Sequence, residues 1–229
     1  MTAITSTTRP LAPARPWLVR PPGVYRPQDD TWFLASALRA SGMPSGARVL
    51  DLCTGTGALA LTAAMSGAGS VTAVDISRRA LAAAWTNTRL RGLPVRAVRG
   101  SLAEATRRGP FDVVLANPPY VPCPIPASGA ARAWDAGPDG RVVLDPLCAG
   151  AAAMLAPQGF LLLVHSKVAD VDKSLTRLRE SGLAAAVVAS RTVPFGPVMR
   201  ARAAFLEEAG LITAGQQDEE LAVIRADRP

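Results

Sequence analysis

Apolar and polar positions change period repeatedly along the chain, and the changes delimit the elements. Between Gln28 and Ala40, the residues Trp32, Leu34, Ala35 and Leu38 recur at helical spacing, and Asp29, Asp30 and Thr31 stand where helix starts favour polar residues. Short apolar runs then alternate with helical patterns. RVLDLC reads as a strand, Ala58 to Ser66 as a helix and VTAVDI as a strand. Ser77 caps a helix running to about Leu90, VRAVRG is a third strand and FDVVLAN a fourth. A loop rich in Pro and Gly fills residues 118 to 140, and Val142 to Leu155 returns to helix. GFLLLVHS is a fifth strand, Val168 to Glu180 a helix, and LAAAVVAS and LAVIRA are the last apolar runs. This alternation predicts an α/β fold with a parallel, doubly wound sheet. Residues 1–22 carry Pro10, Pro13, Pro16, Pro21 and Pro22, which suit neither helix nor ladder. They are expected to form a flexible tail before one domain over 23–229.

Composition narrows the setting. The 229 residues, 49% of them hydrophobic, suffice for one sizeable core. Every apolar run of about 18 residues is broken by charge, Gly or Pro, so no membrane span is expected. MTAITSTTRP has no apolar core leading to a small-residue cleavage site, so no secretory signal is expected either. Cys53, Cys123 and Cys148 are odd in number and lack CxxC spacing, which fits a reducing cytoplasm and predicts neither disulfides nor a metal site. The net charge of +7 is carried almost wholly by arginine. Arg78, Arg79, Arg89, Arg91, Arg96, Arg99, Arg107 and Arg108 are relieved only by Glu104. That Arg78–Arg108 region reads either as a surface for a polyanion such as nucleic acid or as a solvated face. Trp85 is the single aromatic within that stretch, short of the regular interleaving that single-strand binding prefers.

In a doubly wound sheet, ligands bind beyond the carboxyl ends of the strands, so strand ends are where chemistry is sought. The first strand runs into Asp51-Leu52-Cys53-Thr54-Gly55-Thr56-Gly57, whose glycines permit a tight turn and close ligand approach. Asp75 closes the second strand where an acid can receive ribose hydroxyls, or else it caps the next helix. Two acids at consecutive strand ends, without the third glycine of GxGxxG, fit a nucleoside lacking a pyrophosphate. The fourth strand stops at Asn117-Pro118-Pro119-Tyr120.

DLCTGTG, VDIS and NPPY together resemble the class I S-adenosylmethionine-dependent methyltransferases that methylate a nitrogen of a planar group. GVYRPQDDTWFLASAL, WDAGPDGRVVLDPL, PFGPVMRAR and ELAVIRA are similar to segments of short HemK/PrmC-like enzymes, so the likeness covers roughly residues 22–227. It implies a Rossmann-like class I methyltransferase fold, a mostly parallel seven-stranded sheet with helices on both faces. It also implies S-adenosylmethionine as cofactor and N5-methylation of a release-factor glutamine as the reaction. The core begins near Tyr25, leaving no room for the helical substrate domain of the bacterial enzymes, so the chain resembles the short archaeal and eukaryotic type. Those act with a small zinc-binding activator, which the resemblance extends to this chain. By the same resemblance, Thr31 lies near the methionine end of the cofactor and Asp51 near its amino group, with Cys53, Gly55 and Gly57 beneath it. Asp75 takes the ribose, Ser101 and Leu102 border the adenine, and Asn117 borders both cofactor and acceptor. Ser101 stands where the family usually has Asp, and Cys53 where it commonly has Gly. Other readings stay open: an exocyclic amine of DNA or RNA, a small-molecule amine or amide, or a cofactor-binding scaffold without activity.

The NPPY corner has its own chemical logic. An amide nitrogen is a poor nucleophile because its lone pair is delocalised. Acceptors that take its N–H bonds as it becomes tetrahedral help, and the Asn117 oxygen and the Pro118 carbonyl are such acceptors. Pro118 and Pro119 stiffen the corner, and Tyr120 can stack on the planar group. His165, the only histidine, ends an apolar strand and reads as catalytic or as a buried structural residue. Trp134 and Asp135 lie in a loop that either covers the acceptor or merely connects.

Overall fold

The computed structural model describes residues 15–125 and 129–229. Its strands are β1 (Arg48–Leu52), β2 (Ser70–Asp75), β3 (Val95–Arg99), β4 (Phe111–Ala116), β5 (Leu155–Ser166), β6 (Ala184–Pro194) and β7 (Asp218–Asp227). The helices are α1 (Asp29–Ala40), α2 (Ala58–Met65), α3 (Arg78–Arg89), α4 (Leu102–Arg108), α5 (Leu144–Met154), α6 (Val171–Glu180) and α7 (Pro197–Glu208). The strands form one seven-stranded sheet in the order β3-β2-β1-β4-β5-β7-β6. β1 to β5 are parallel and β7 runs antiparallel to both neighbours. The sheet is thus mostly parallel and Rossmann-like.

The central strands are buried on both faces, which is why VVLA in β4 and LLLV in β5 read as continuous apolar runs rather than alternating ones. α1, α2 and α3 touch in series and form one covering layer; α4, α5 and α6 form the other. α2 is apolar all round because it lies under its neighbours, with Ala58 to Ala63 all buried. Strand order reverses between β1 and β4, and the register pairs Leu52 with Ala116. The loop after β1 therefore lies beside Asn117, and the cleft opens at this switch point.

Several boundaries differ from the sequence pattern. α1 begins one residue later than Gln28, which caps it without a side-chain bond, so Asp30 and Thr31 sit inside the first turn. α5 stops at Met154 and β5 already starts at Leu155, the register shifting between Phe111 and Val113 where Gln158 takes a positive φ. The pattern gave no sign of α4 or α7. α4 has one fully buried residue, Ala105, and α7 two, Met199 and Leu206, too few to print a stripe.

Part of the expected tail, residues 1–14, lies outside the described residues. Over residues 17–19 the chain is a strap on α3 rather than a free segment. Asn87 accepts the Val19 N–H at 2.7 Å and donates to the Val19 carbonyl at 3.0 Å, and Arg91 donates to the Trp17 carbonyl. Prolines cannot ladder, but one buried amide side chain satisfies a backbone donor and acceptor together. A single apolar cluster runs from Phe33 to Ala226 through all seven strands. No helix among the described residues is long and apolar enough to cross a membrane.

Candidate active site

The loop from Cys53 to Gly57 joins β1 to α2, and buried Asp51 braces it. Asp51 Oδ2 accepts from the Thr54 hydroxyl and, at 2.9 Å, from the Ala60 N–H at the start of α2. Its Oδ1 is buried with no protein donor, and burial pushes the carboxyl up to about 7. Gly55 has φ +53 and nothing within 4 Å of where a Cβ would stand, so its outer side is open to a ligand. Gly57 differs: a Cβ there would stand 2.9 Å from Ala84 Cα and Cβ, so this glycine serves the approach of α3. Sequence reasoning placed both glycines beneath the cofactor; a collision with α3 is what requires the second.

Cys53 takes φ +60, the left-handed conformation in which a Cβ is strained. Burial drives its thiol well above the ordinary range, so it is not a thiolate at neutral pH. Cys53→Gly is expected to change stability by less than about 1 kcal/mol, while Cys53→Val, branched at Cβ, costs about 1–2 kcal/mol more. Urea midpoints of the two variants check this, and equal midpoints would contradict the strain argument.

Asp75 ends β2. Its Oδ2 accepts the Gly55 N–H at 3.0 Å and its Oδ1 the Ser77 N–H at 2.8 Å, which leaves each oxygen a further acceptor position. Burial raises its pKa despite these bonds. Asp75 pairs with Arg99 at the neighbouring strand end, so Ile76 and Ser101 stand at adjacent exits from the sheet. Ile76 is more than half exposed. Ser101 is exposed and its side chain makes no cap bond; Leu102 is half-buried. Ile76 was not singled out by the sequence, because an apolar residue after a strand looks like its continuation. An open glycine, an orphaned carboxylate oxygen, an acid with spare acceptor positions and an apolar ledge fit S-adenosylmethionine.

Across the cleft, the NPPY corner is held by a network around Asp30. Asn117 donates from Nδ2 to the Thr31 hydroxyl at 3.1 Å, which donates to Asp30 Oδ1 at 3.1 Å. The Thr31 N–H also bonds Asp30 Oδ1, at 2.6 Å. Asp30 Oδ2 receives the Tyr25 hydroxyl at 2.9 Å and the Tyr120 hydroxyl at 3.2 Å. The amide nitrogen is engaged by Thr31, and Asn117 Oδ1 receives no donor from the described residues. Both tyrosine hydroxyls are raised well above their ordinary pKa, by burial first and then by Asp30, so they remain donors. Asn117, Pro118, Pro119, Tyr120, Tyr25 and Glu219 are among the residues lining one open cleft. Glu219 comes from β7 and was not foreseen.

The loop after NPPY is anchored. Val121 bridges to Asp135, whose carboxylate pairs with Arg202 of α7 at 2.6 Å, and Arg202 also donates to the Pro122 carbonyl at 2.8 Å. Ala133 and Trp134 of this segment are among the residues lining the cleft. His165 is wholly buried, with Nδ1 2.9 Å from the Ser166 carbonyl and Nε2 2.9 Å from the Ser174 hydroxyl. Burial pulls its pKa down to about 4, so it is a neutral structural residue. In the arginine-rich region, Arg107 and Arg108 pair with Glu104, and Arg91 and Arg99 bond backbone carbonyls.

The sheet order and the strand-end cleft define a class I methyltransferase fold. The chain belongs to the methyltransferase small domain family, whose model matches residues 17–192. It is 45% identical over 149 residues to a release factor glutamine methyltransferase of Deinococcus radiodurans, covering 61% of this chain and 52% of that protein. It is also 29% identical over 181 residues to a Methanocaldococcus jannaschii protein named for protein N5-glutamine methylation, covering 78% of this chain and 90% of that one. The chain spans about half the length of several curated release-factor methyltransferases that it matches. Among solved structures, the E. cuniculi Mtq2–Trm112 complex, responsible for methylation of the eRF1 termination factor, superposes with TM-score 0.62 at 24% identity. That match covers 90% of this chain and 99% of that one.

Proposed function

We propose that this chain is an S-adenosylmethionine-dependent N-methyltransferase acting on the side-chain amide of a glutamine in a peptide chain release factor. The carrying observation is the orientation of Asn117. Its Nδ2 donates to Thr31 and the residue lines the cleft, which leaves Oδ1 as the acceptor for a substrate N–H. An acceptor held this way suits an NH2 group and offers nothing to a carboxylate. The names of the relatives from D. radiodurans and M. jannaschii support glutamine as the methylated residue.

When bound, S-adenosylmethionine supplies an electrophilic methyl group on a sulfonium centre. Gly55 and Asp75 on one side of the cleft would hold the cofactor, Asp75 at its ribose hydroxyls, and Asp51 braces their loop. On the other side, Asn117 Oδ1 and the Pro118 carbonyl accept the two N–H bonds of the amide as its nitrogen turns tetrahedral. Tyr120 presents its ring while its hydroxyl is tied to Asp30, so its orientation is set before the substrate enters. As the nitrogen takes the methyl group, one of its two protons is lost to water, and neither acceptor changes protonation state.

Incubating the purified chain with labelled cofactor and, separately, release factor, nucleic acid and small amines tests the assignment. Label in the release-factor glutamine is the expected result; label only in nucleic acid overturns the substrate and favours the arginine-rich face. Asp75→Ala is expected to weaken cofactor binding by about 10²-fold in calorimetry, since two charge-assisted bonds to ribose hydroxyls are lost. An unchanged dissociation constant would remove Asp75 from the cofactor site.

A further inference from the structure

Of the three carboxylates that line the acceptor side of the cleft, Asp30 and Glu219 are buried, and these two differ in one respect. Asp30 is saturated: the Thr31 N–H and hydroxyl occupy Oδ1, and the Tyr25 and Tyr120 hydroxyls occupy Oδ2. Glu219 is not. It is 7% exposed, Oε2 is buried, and no donor among the described residues reaches that oxygen. The antiparallel pairing of Ser166 with Leu221 sets Glu219 beyond the carboxyl end of β5, at the same level as the NPPY corner. A buried acceptor left without a donor costs about 1–3 kcal/mol, so its retention in a substrate cleft calls for a donor from outside the chain.

We propose that Glu219 is a specificity-determining residue of this cleft, its Oε2 receiving an N–H of the acceptor substrate. The inference rests on the reading of the cleft as a glutamine amide site and names the wall that excludes the isosteric glutamate. A glutamine-bearing peptide offers N–H donors from its side chain and backbone. A carboxylate acceptor would set negative charge against Asp30, and against Glu219 wherever that residue is ionised, and would leave Oε2 unpaired. Burial, with the charge of Asp30, raises the Glu219 pKa to about 7, which shows how little protein charge neutralises it.

The test uses the full chain and intact release factor. Glu219→Ala is expected to lower kcat/KM by about 30-fold, mainly through KM, and Glu219→Gln, which keeps the shape and one acceptor oxygen, by about 5-fold. Cofactor affinity by calorimetry stays within about 2-fold in both. A kcat/KM within about 2-fold of wild type for either variant overturns the role of Glu219, as does a loss traced wholly to weaker cofactor binding. If Glu219→Ala does not fold, Glu219→Gln decides by the same criterion. Failure of the glutamine reading looks different: wild type then labels another acceptor and not release factor. The two variants assayed on that acceptor still accept or reject Glu219.

Discussion

Asn117→Ala is expected to lower kcat by about 10²–10³-fold while leaving the cofactor dissociation constant within about threefold of wild type. The asymmetry follows from what Asn117 touches. Its one side-chain bond to the protein goes to the Thr31 hydroxyl, and Thr31 keeps two further bonds to Asp30 when the amide is removed. The fold therefore loses a single neutral hydrogen bond, worth about 1 kcal/mol. The reacting nitrogen loses an acceptor that matters most when its N–H bonds polarise, so the effect falls on the chemical step. Asn117→Asp sharpens the point. It keeps two acceptor oxygens but loses the donor to Thr31 and sets a charge near Asp30, so it is expected to be no more active than the alanine variant. Single-turnover rates with saturating cofactor measure the effect, and wild-type rates in either variant would refute the role of Asn117.

The positions legible in the sequence share one property: each is indexed by the end of a strand. Asp51, Gly55, Asp75 and Asn117 follow apolar runs whose period is plain, and the switch-point rule says that such ends converge. Asp30 and Glu219 were not legible for the opposite reason. Asp30 lies at a helix start, where acids are common for local reasons, and its partner Tyr120 is 90 positions away. Glu219 opens an antiparallel strand whose register only the sheet reveals. Gly57 shows the same limit: the sequence places it beside the ligand loop, but the Ala84 atoms that a Cβ there would meet belong to another helix. Periodicity reports burial along one element and is silent about which elements meet.

Asp30→Ala carries the second large effect, on stability and activity together. Four donors converge on this carboxylate, from Thr31 twice and from Tyr25 and Tyr120. Alanine leaves all four in a buried pocket and removes an acid from the first turn of α1, where negative charge is favourable. A cost of about 3 kcal/mol is expected in urea denaturation, at unchanged m. Activity falls as well, by about 10²-fold in kcat/KM, because Thr31 and Tyr120 lose the anchor that orients the Asn117 amide and the tyrosine ring. Asp30→Asn separates shape from charge. Its oxygen can still receive the Thr31 donors, and its NH2 can donate to a tyrosine oxygen, so a loss nearer 1 kcal/mol is expected. Removing the Asp30 charge also takes away one cause of the raised Glu219 pKa, so in both variants Glu219 ionises more readily. If Asp30→Ala were destabilised yet kept wild-type kcat/KM, the network would be a structural brace alone, and the free orientation of Asn117 Oδ1 would have to be set by the substrate instead.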